Sequence, residues 1–134
     1  MNKRISIMII IALTGLVFAG CVGRDDTYKL TYEDGTFTGK TDEDERGSYG
    51  SIEIKIEDNK IVEADYEEIQ KNGEAKDEDY KYQTSVEAME VYEQELIKKQ
   101  DPDEVEVVSG ATSTWEKFKT AAHNATEKAE QERL

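Results

Sequence analysis

Hydrophobic and polar positions alternate strictly along residues 52–57, where isoleucine occupies every second position and charged residues stand between. A period of two is typical of a strand with one buried face. The turn sequence Asp58-Asn59-Lys60 follows, and residues 61–66 continue the pattern, so the sequence predicts a hairpin. A second turn signal, Asp34-Gly35, comes before residues 36–38 and predicts a further short strand.

Two later segments have helical spacing instead. The first lies between Thr84, which with Glu87 has the spacing of a capping box, and the residues before Pro102. The second begins near Ser113, which with Glu116 forms another capping box, and it carries a stripe of Phe118, Ala121, Ala122, Ala125 and Ala129. The valine-rich residues 105–108 predict a short strand between the helices. This order predicts a small α+β domain, a small antiparallel sheet with helices packed on one face.

The N-terminus has the pattern of an export signal. Lys3 and Arg4 precede an apolar run over residues 5–19, which is too short for an ordinary membrane span. Small residues directly before Cys21 resemble the bacterial lipobox, which implies cleavage before this cysteine and lipid attachment to it. The alternative is an uncleaved anchor with an inert Cys21. We predict a signal peptide over 1–20, a lipid-anchored tether over 21–30 and one domain over 31–130, at the extracytoplasmic face of the cell membrane.

Composition narrows the function classes. The chain has 31 acidic and 17 basic residues and a formal net charge of -14. Such a charge argues against a nucleic-acid partner, because phosphates would be repelled. One cysteine and one histidine exclude a disulfide framework and a Cys/His zinc site. The acidic runs 42–45 and 77–79 lack the ligand spacing of a calcium loop, so no metal site is predicted.

The most informative segment is Ser109-Gly110-Ala111-Thr112, between the valine-rich residues and the last helix. A helix N-terminus presents unpaired N–H groups and the positive end of the helix dipole, so a phosphate would be stabilised there. Gly110 allows close backbone approach. The alternative is a simple turn with a serine cap.

This segment resembles the hallmark of the FMN-binding domain family, Ser/Thr-Gly-Ala-Thr preceded by an acidic residue, here Glu106. The resemblance implies that a separate FAD-dependent flavin transferase joins FMN through its phosphate to the hydroxyl of Thr112. Thr114 remains an alternative acceptor. The cofactor would then be FMN in phosphodiester linkage, with Ser109, Gly110 and Ala111 around it.

Further segments, including residues 34–37, 47–50 and 99–102, resemble the small flavin lipoproteins of Gram-positive bacteria that are linked to extracellular electron transfer. This implies an electron carrier rather than an enzyme, with a membrane quinone or flavin dehydrogenase as donor and extracellular acceptors. Tyr49 and Trp115 are the preferred candidates to stack on the flavin ring, before Tyr66 and Tyr80. The acidic composition leads us to expect carboxylates around the flavin that disfavour its anionic reduced form. The alternative function is a non-redox binding or assembly lipoprotein that keeps the fold without flavin.

Overall fold

The computed structural model describes residues 31–131, so Cys21 and the predicted signal peptide and tether lie outside the described residues. The chain runs through strands β1 (Gly35–Lys40), β2 (Tyr49–Glu57) and β3 (Lys60–Ile69), helix α1 (Gln83–Lys99), a short 3₁₀ helix (Pro102–Glu104) and helix α2 (Thr112–Gln131). The strands form one antiparallel sheet in the order β1-β2-β3, which confirms the predicted α+β class. Within residues 31–131, no helix combines the length and the apolar character needed to cross a membrane.

The predicted hairpin of β2 and β3 is confirmed. Its two loop residues, Asp58 and Asn59, have φ angles of 51° and 64°. Positive φ at both positions identifies a type I′ turn, whose twist matches that of paired strands. The register shifts after Lys55, and Val62 is the extra residue on β3, so two consecutive side chains, those of Val62 and Glu63, are exposed.

The helices cover one face of the sheet and also its edges. At the β3 edge, the Gln100 side-chain amide accepts a hydrogen bond from the Ile61 N–H at 2.7 Å and donates to the Ile61 carbonyl at 2.9 Å. At the β1 edge, side chains of α2 donate to strand carbonyls, Asn124 to Lys40 and Lys128 to Thr38. Since unpaired edge groups can recruit another chain, these contacts close the sheet against further pairing.

Helix α2 packs closely on β1 because Gly39 has no side chain. A Cβ atom at this position would meet the carbonyl oxygen of Ala121 and lie 2.5 Å from the backbone nitrogen of Ala125. The alanine stripe predicted for this helix is fully buried. Small residues on both surfaces therefore let the helix backbone approach the strand.

Residues 105–108, predicted as a strand, form no ladder with the sheet. Side chains occupy backbone groups that a neighbouring strand would otherwise bond. Trp115 Nε1 donates to the Val105 carbonyl at 2.8 Å, and the Tyr92 hydroxyl accepts from the Val108 N–H at 3.0 Å. The apolar character of this segment therefore reflects the burial of Val105 in the core and not pairing with the sheet.

Both predicted capping boxes are wrong, because each helix begins before the residue that was predicted to cap it. Helix α1 begins at Gln83 after Tyr82, which makes no side-chain capping bond, and α2 begins at Thr112. Thr84 and Ser113 therefore lie inside the first turns. The Gln83 amide instead donates to carbonyls of residues 77–80, which ties the preceding loop to the start of α1.

Asp44 attaches the loop 41–48 to helix α2. Its Oδ1 atom accepts from the N–H groups of Arg46 and Ser48 at 2.9 and 3.0 Å, and its Oδ2 atom lies 2.8 Å from the ammonium of Lys117. The hydrogen bond from Lys117 lowers the pKa of Asp44 to about 2, against partial burial, and the backbone donors add to the lowering.

Replacing Gly39 should separate α2 from the sheet. Because the added Cβ of Gly39→Ala meets helix backbone rather than a flexible side chain, we expect a loss of about 1–3 kcal/mol in the free energy of unfolding. Urea denaturation measures this, with Ser51→Ala on the uncovered face as the control. An unchanged midpoint would mean that the helix can move off β1 without cost.

The stability that the ion pair of Asp44 and Lys117 contributes should depend on pH. The folded pKa of Asp44, about 2, lies below its ordinary value of 3.8, so its charge stabilises the fold at higher pH. We expect Asp44→Asn to be less stable than the wild type at neutral pH, with a difference that shrinks as the pH falls from about 4 to about 2. Denaturation across this range measures the effect, with the exposed Asp42→Asn as the control. A difference independent of pH would contradict the assigned ion pair.

Candidate functional site

The Ser-Gly-Ala-Thr segment forms a tight turn that leads into α2. The Ala111 N–H donates to the Val108 carbonyl at 3.0 Å, and Gly110, the third residue of this turn, has φ of 85°. Ser109 before it has no positive φ. A positive φ at the third position alone identifies a type II turn, which favours glycine there. The backbone conformation therefore explains why this position holds glycine.

The turn is held by the buried side chain of Tyr92 on α1. Its hydroxyl accepts from the Val108 N–H at 3.0 Å and donates to the Ala111 carbonyl at 3.1 Å. Burial raises the pKa of Tyr92, although the bond from Val108 opposes this, so the hydroxyl keeps the proton that it donates. One side chain thus fixes both ends of the turn, a role that no local sequence signal indicated.

The two candidate threonines differ in accessibility. Thr112 is the first residue of α2 and is exposed, as are Ser109 and Gly110, whereas Thr114 is only 3% exposed and Ala111 is buried. The first N–H groups of a helix have no intrahelical acceptor, and the first turn of α2 holds no acidic residue. An accessible hydroxyl therefore lies at a helix end that favours negative charge.

A cavity of about 650 Å³ opens beside this helix end. Its walls come from the loop 41–48, from residues 70–85 and from α2, where Ser113, Thr114 and Lys117 line it. This volume lies within the range of small-molecule sites, roughly 300–1,000 Å³. Thr112, which follows the turn, is therefore next to Ser113 and Thr114, two residues of the same helix that line the cavity.

The cavity is more basic than the rest of the chain. Four cationic side chains line it, against two carboxylates: Arg46, Lys71, Lys76 and Lys117, with Asp44 and Glu45. Carboxylates therefore do not dominate the lining of this cavity. Exposed positions of β2 and β3 carry five other carboxylates: Glu53, Glu57, Glu63, Asp65 and Glu67.

Behind the cavity wall lies a fully buried carboxylate, Glu68. Its Oε2 atom is 2.6 Å from the ammonium of Lys76 and 3.6 Å from that of Lys117, and the Tyr66 hydroxyl donates to Oε1 at 3.4 Å. Burial lowers the pKa of Lys76, but the hydrogen bond and charge of Glu68 outweigh it, so this pKa is raised overall. Burial, with the charge of Glu68, raises the pKa of Tyr66.

The turn at Gly73 brings Lys76 to this position. The Gly73 N–H donates to the Gln70 carbonyl at 2.8 Å, and the returning chain pairs with the end of β3. There the Lys76 N–H donates to the Glu68 carbonyl at 2.9 Å. Lys76 and Glu68 are therefore joined twice, by a backbone hydrogen bond and by the ion pair of their side chains.

Neither of the preferred aromatic candidates lines the cavity. Tyr49 precedes the buried Gly50 on β2, so alternation directs its side chain to the uncovered face of the sheet. Trp115 is bonded to Val105, and the ammonium of Lys119 lies 4.7 Å from its ring centroid. Trp115 is therefore held by contacts outside the cavity, and Tyr49 lies on the sheet face opposite the helices.

Tyr80 and Tyr82 supply the aromatic surface instead. Their ring centroids are 5.8 Å apart with an interplanar angle of 65°, and Tyr82 is 54% exposed. Tyr80 was a secondary candidate in the sequence, whereas Tyr82 was missed. An aromatic residue in a polar loop has no periodicity to mark it, and its exposure beside a cavity is visible only in the fold.

These features fit a ligand that combines a phosphate with an aromatic ring. The helix end and the hydroxyl of Thr112 suit the phosphate, while the cavity with Tyr80 and Tyr82 suits a ring system. FMN has both parts.

Comparison with protein families supports the same cofactor. The model of the FMN-binding domain family matches residues 25–127. A crystal structure of a Clostridium perfringens protein is similar, with a TM-score of 0.68 and 31% identity over 77% of this chain and 93% of that one. A solution NMR structure of a Clostridium thermocellum protein has a TM-score of 0.49 and 24% identity over 73% and 92% of the two chains.

No curated protein matches the chain. The family match nevertheless covers most of its length, including all three strands and the Ser-Gly-Ala-Thr turn. It supports FMN as the cofactor and a flavoprotein as the protein class. The chain belongs to the FMN-binding domain family.

Proposed function

We propose that this protein is a lipid-anchored electron carrier that holds FMN in phosphodiester linkage to Thr112. The observation that carries the proposal is the position of Thr112, exposed at the start of α2 and next to the residues that line the cavity. Family membership supports the cofactor, while the linkage, the anchor and the electron route are proposals.

The surroundings of Thr112 suit modification by another protein. The turn leaves Ser109 and Gly110 at the surface, so a flavin transferase that uses FAD has room to reach the threonine hydroxyl. This hydroxyl would bond to the phosphorus of the FMN half of FAD, and AMP would leave. The 3% exposure of Thr114 disfavours it as the acceptor.

Once attached, FMN supplies the uptake and release of one or two electrons. The N–H groups at the start of α2 stabilise the phosphate charge. The cavity would hold the ring, with Tyr80 and Tyr82 available for stacking. Because Tyr82 is half exposed, this side of the cavity is accessible to a redox partner.

The N-terminal sequence supports the proposed location. A lipid on Cys21 and a tether over residues 21–30 would hold the domain near the extracytoplasmic face of the cell membrane. The electron donor would be a membrane quinone or flavin dehydrogenase, and the acceptors would be extracellular oxidants or redox proteins. A covalent bond would keep the small cofactor from diffusing away in that compartment.

Intact-mass analysis after co-expression with a flavin transferase, FAD and magnesium tests the linkage. We expect the wild type and Thr114→Val to gain the mass of one FMN phosphodiester and Thr112→Val to gain none. A gain that persists in Thr112→Val would assign the linkage to another hydroxyl. Absence of any gain, with an active transferase on a control protein, would reject the carrier and favour a non-redox binding or assembly lipoprotein.

Attachment should also depend on Tyr92. The change Tyr92→Phe keeps the buried ring but removes the acceptor of the Val108 N–H, so we expect a loss of about 1–3 kcal/mol of stability and slower gain of FMN. Urea denaturation and timed mass spectra measure the two effects. Tyr49→Phe, on the uncovered sheet face, is the control and should change neither. Normal attachment in a destabilised Tyr92→Phe would limit the role of this hydroxyl to folding.

A further inference from the structure

The cavity wall contains an ionic cluster that the attachment of FMN does not require. Glu68 is fully buried, and the side chains of Lys76 and Lys117 are each only 11% exposed. A buried carboxylate is costly to desolvate and needs compensating charges, which the two ammonium groups provide at 2.6 and 3.6 Å. The cluster therefore has a defined geometry.

The cluster has an orientation relative to the cavity. Lys76 and Lys117 line the cavity, but Glu68 does not, so the positive ends lie toward the cavity and the negative end lies behind them. Charges with little solvent around them act more strongly on a nearby ligand than exposed charges do. A ligand in the cavity thus faces two poorly hydrated cations.

Among the other groups that face the cavity, Asp44 offsets part of this effect, at Lys117. The loop 41–48 contributes Asp44, already paired with Lys117, together with Glu45 and Arg46. Residues 70–85 contribute Lys71, Tyr80 and Tyr82. Arg46 and Lys71 make no ion pair with another residue of the described part of the chain. The four cations of the lining outnumber the carboxylates even when the buried Glu68 is counted with Asp44 and Glu45.

We propose that Lys76 and Lys117, held in place by Glu68, stabilise the anionic two-electron-reduced form of the flavin. This proposal rests on the proposed function, because it requires the ring to occupy the cavity. It reverses the electrostatic effect that the acidic composition of the chain suggests.

The proton balance of the reaction follows. The oxidised ring would take two electrons from its quinol or flavin-dehydrogenase donor and one proton from solvent at N5. N1 would stay unprotonated, with negative charge shared between N1 and the C2 carbonyl oxygen. Reduction to the neutral form would require a second proton at N1. The potential of the protein should therefore depend on pH half as steeply as that of a flavin that takes up both protons.

The test is a dithionite titration of the FMN-loaded protein across the neutral pH range, with the absorbance of the reduced flavin recorded. We expect Lys76→Met to lower the ratio of anionic to neutral reduced flavin about tenfold at a given pH, and Lys76→Arg to restore it. Glu68→Gln keeps a side-chain oxygen that can accept from the two ammonium groups but removes the opposing charge, so it should raise this ratio. Opposite directions for these two variants would not arise from a purely structural role of the cluster.

Lys71→Met is the matched control, because it removes the same charge from the same cavity at an exposed, unpaired position. Its effect should be smaller and should disappear with added salt, whereas that of Lys76→Met should persist. Equal, salt-sensitive effects in both variants would overturn the proposal, as would uptake of two protons by the wild type.

Binding of free FMN to the unmodified protein separates this proposal from that of covalent attachment. We expect Lys76→Met to weaken the binding of reduced FMN more than that of oxidised FMN, whether or not Thr112 is modified. An equal loss for both forms would overturn the electrostatic role. Failure to gain FMN mass with a selective loss for reduced FMN would reject only the linkage to Thr112.

Discussion

The bonds of the Tyr92 hydroxyl link the core of this domain to its functional turn. The ring is fully buried and lies 5.4 Å from the Phe118 ring of α2, which in turn meets Tyr66 of β3 edge to face at 5.1 Å. The Tyr92 hydroxyl, at one end of this row of aromatic rings, is hydrogen-bonded to the backbone of Val108 and Ala111. The exposed Thr112 thus follows a turn whose conformation depends on core packing.

Local patterns predicted the parts of the fold that depend on local forces. The isoleucine alternation of β2, the loop at Asp58 and the alanine stripe of α2 each reflect one buried face, and all three were predicted correctly. The valines of residues 105–108 were misread because burial alone does not specify a strand. Trp115 and Tyr92 occupy the backbone groups that sheet pairing would need, and both contacts join residues distant in sequence.

The candidate site was predictable only in part for a related reason. The turn motif is contiguous, and it indicated Thr112 directly. The cavity is assembled from separate segments, so its cations at 46, 71, 76 and 117 form no run along the chain. Net charge is an average over the whole surface and conceals such a cluster. Tyr82 was missed on the same grounds, since only the packing of its loop against α1 places it beside the cavity.

The buried Glu68 shows how stability and function are connected at this site. A carboxylate without solvent is an expensive way to fill a core, and an apolar residue of similar size commonly stabilises a protein more. The cost is offset here by two lysines that the carboxylate also holds at the cavity wall. An apolar residue at this position would leave both ammonium groups without their buried partner, and only Lys117 would keep a second carboxylate, that of Asp44. Glu68 therefore contributes less to folding than to keeping positive charge at the cavity wall of an otherwise acidic protein.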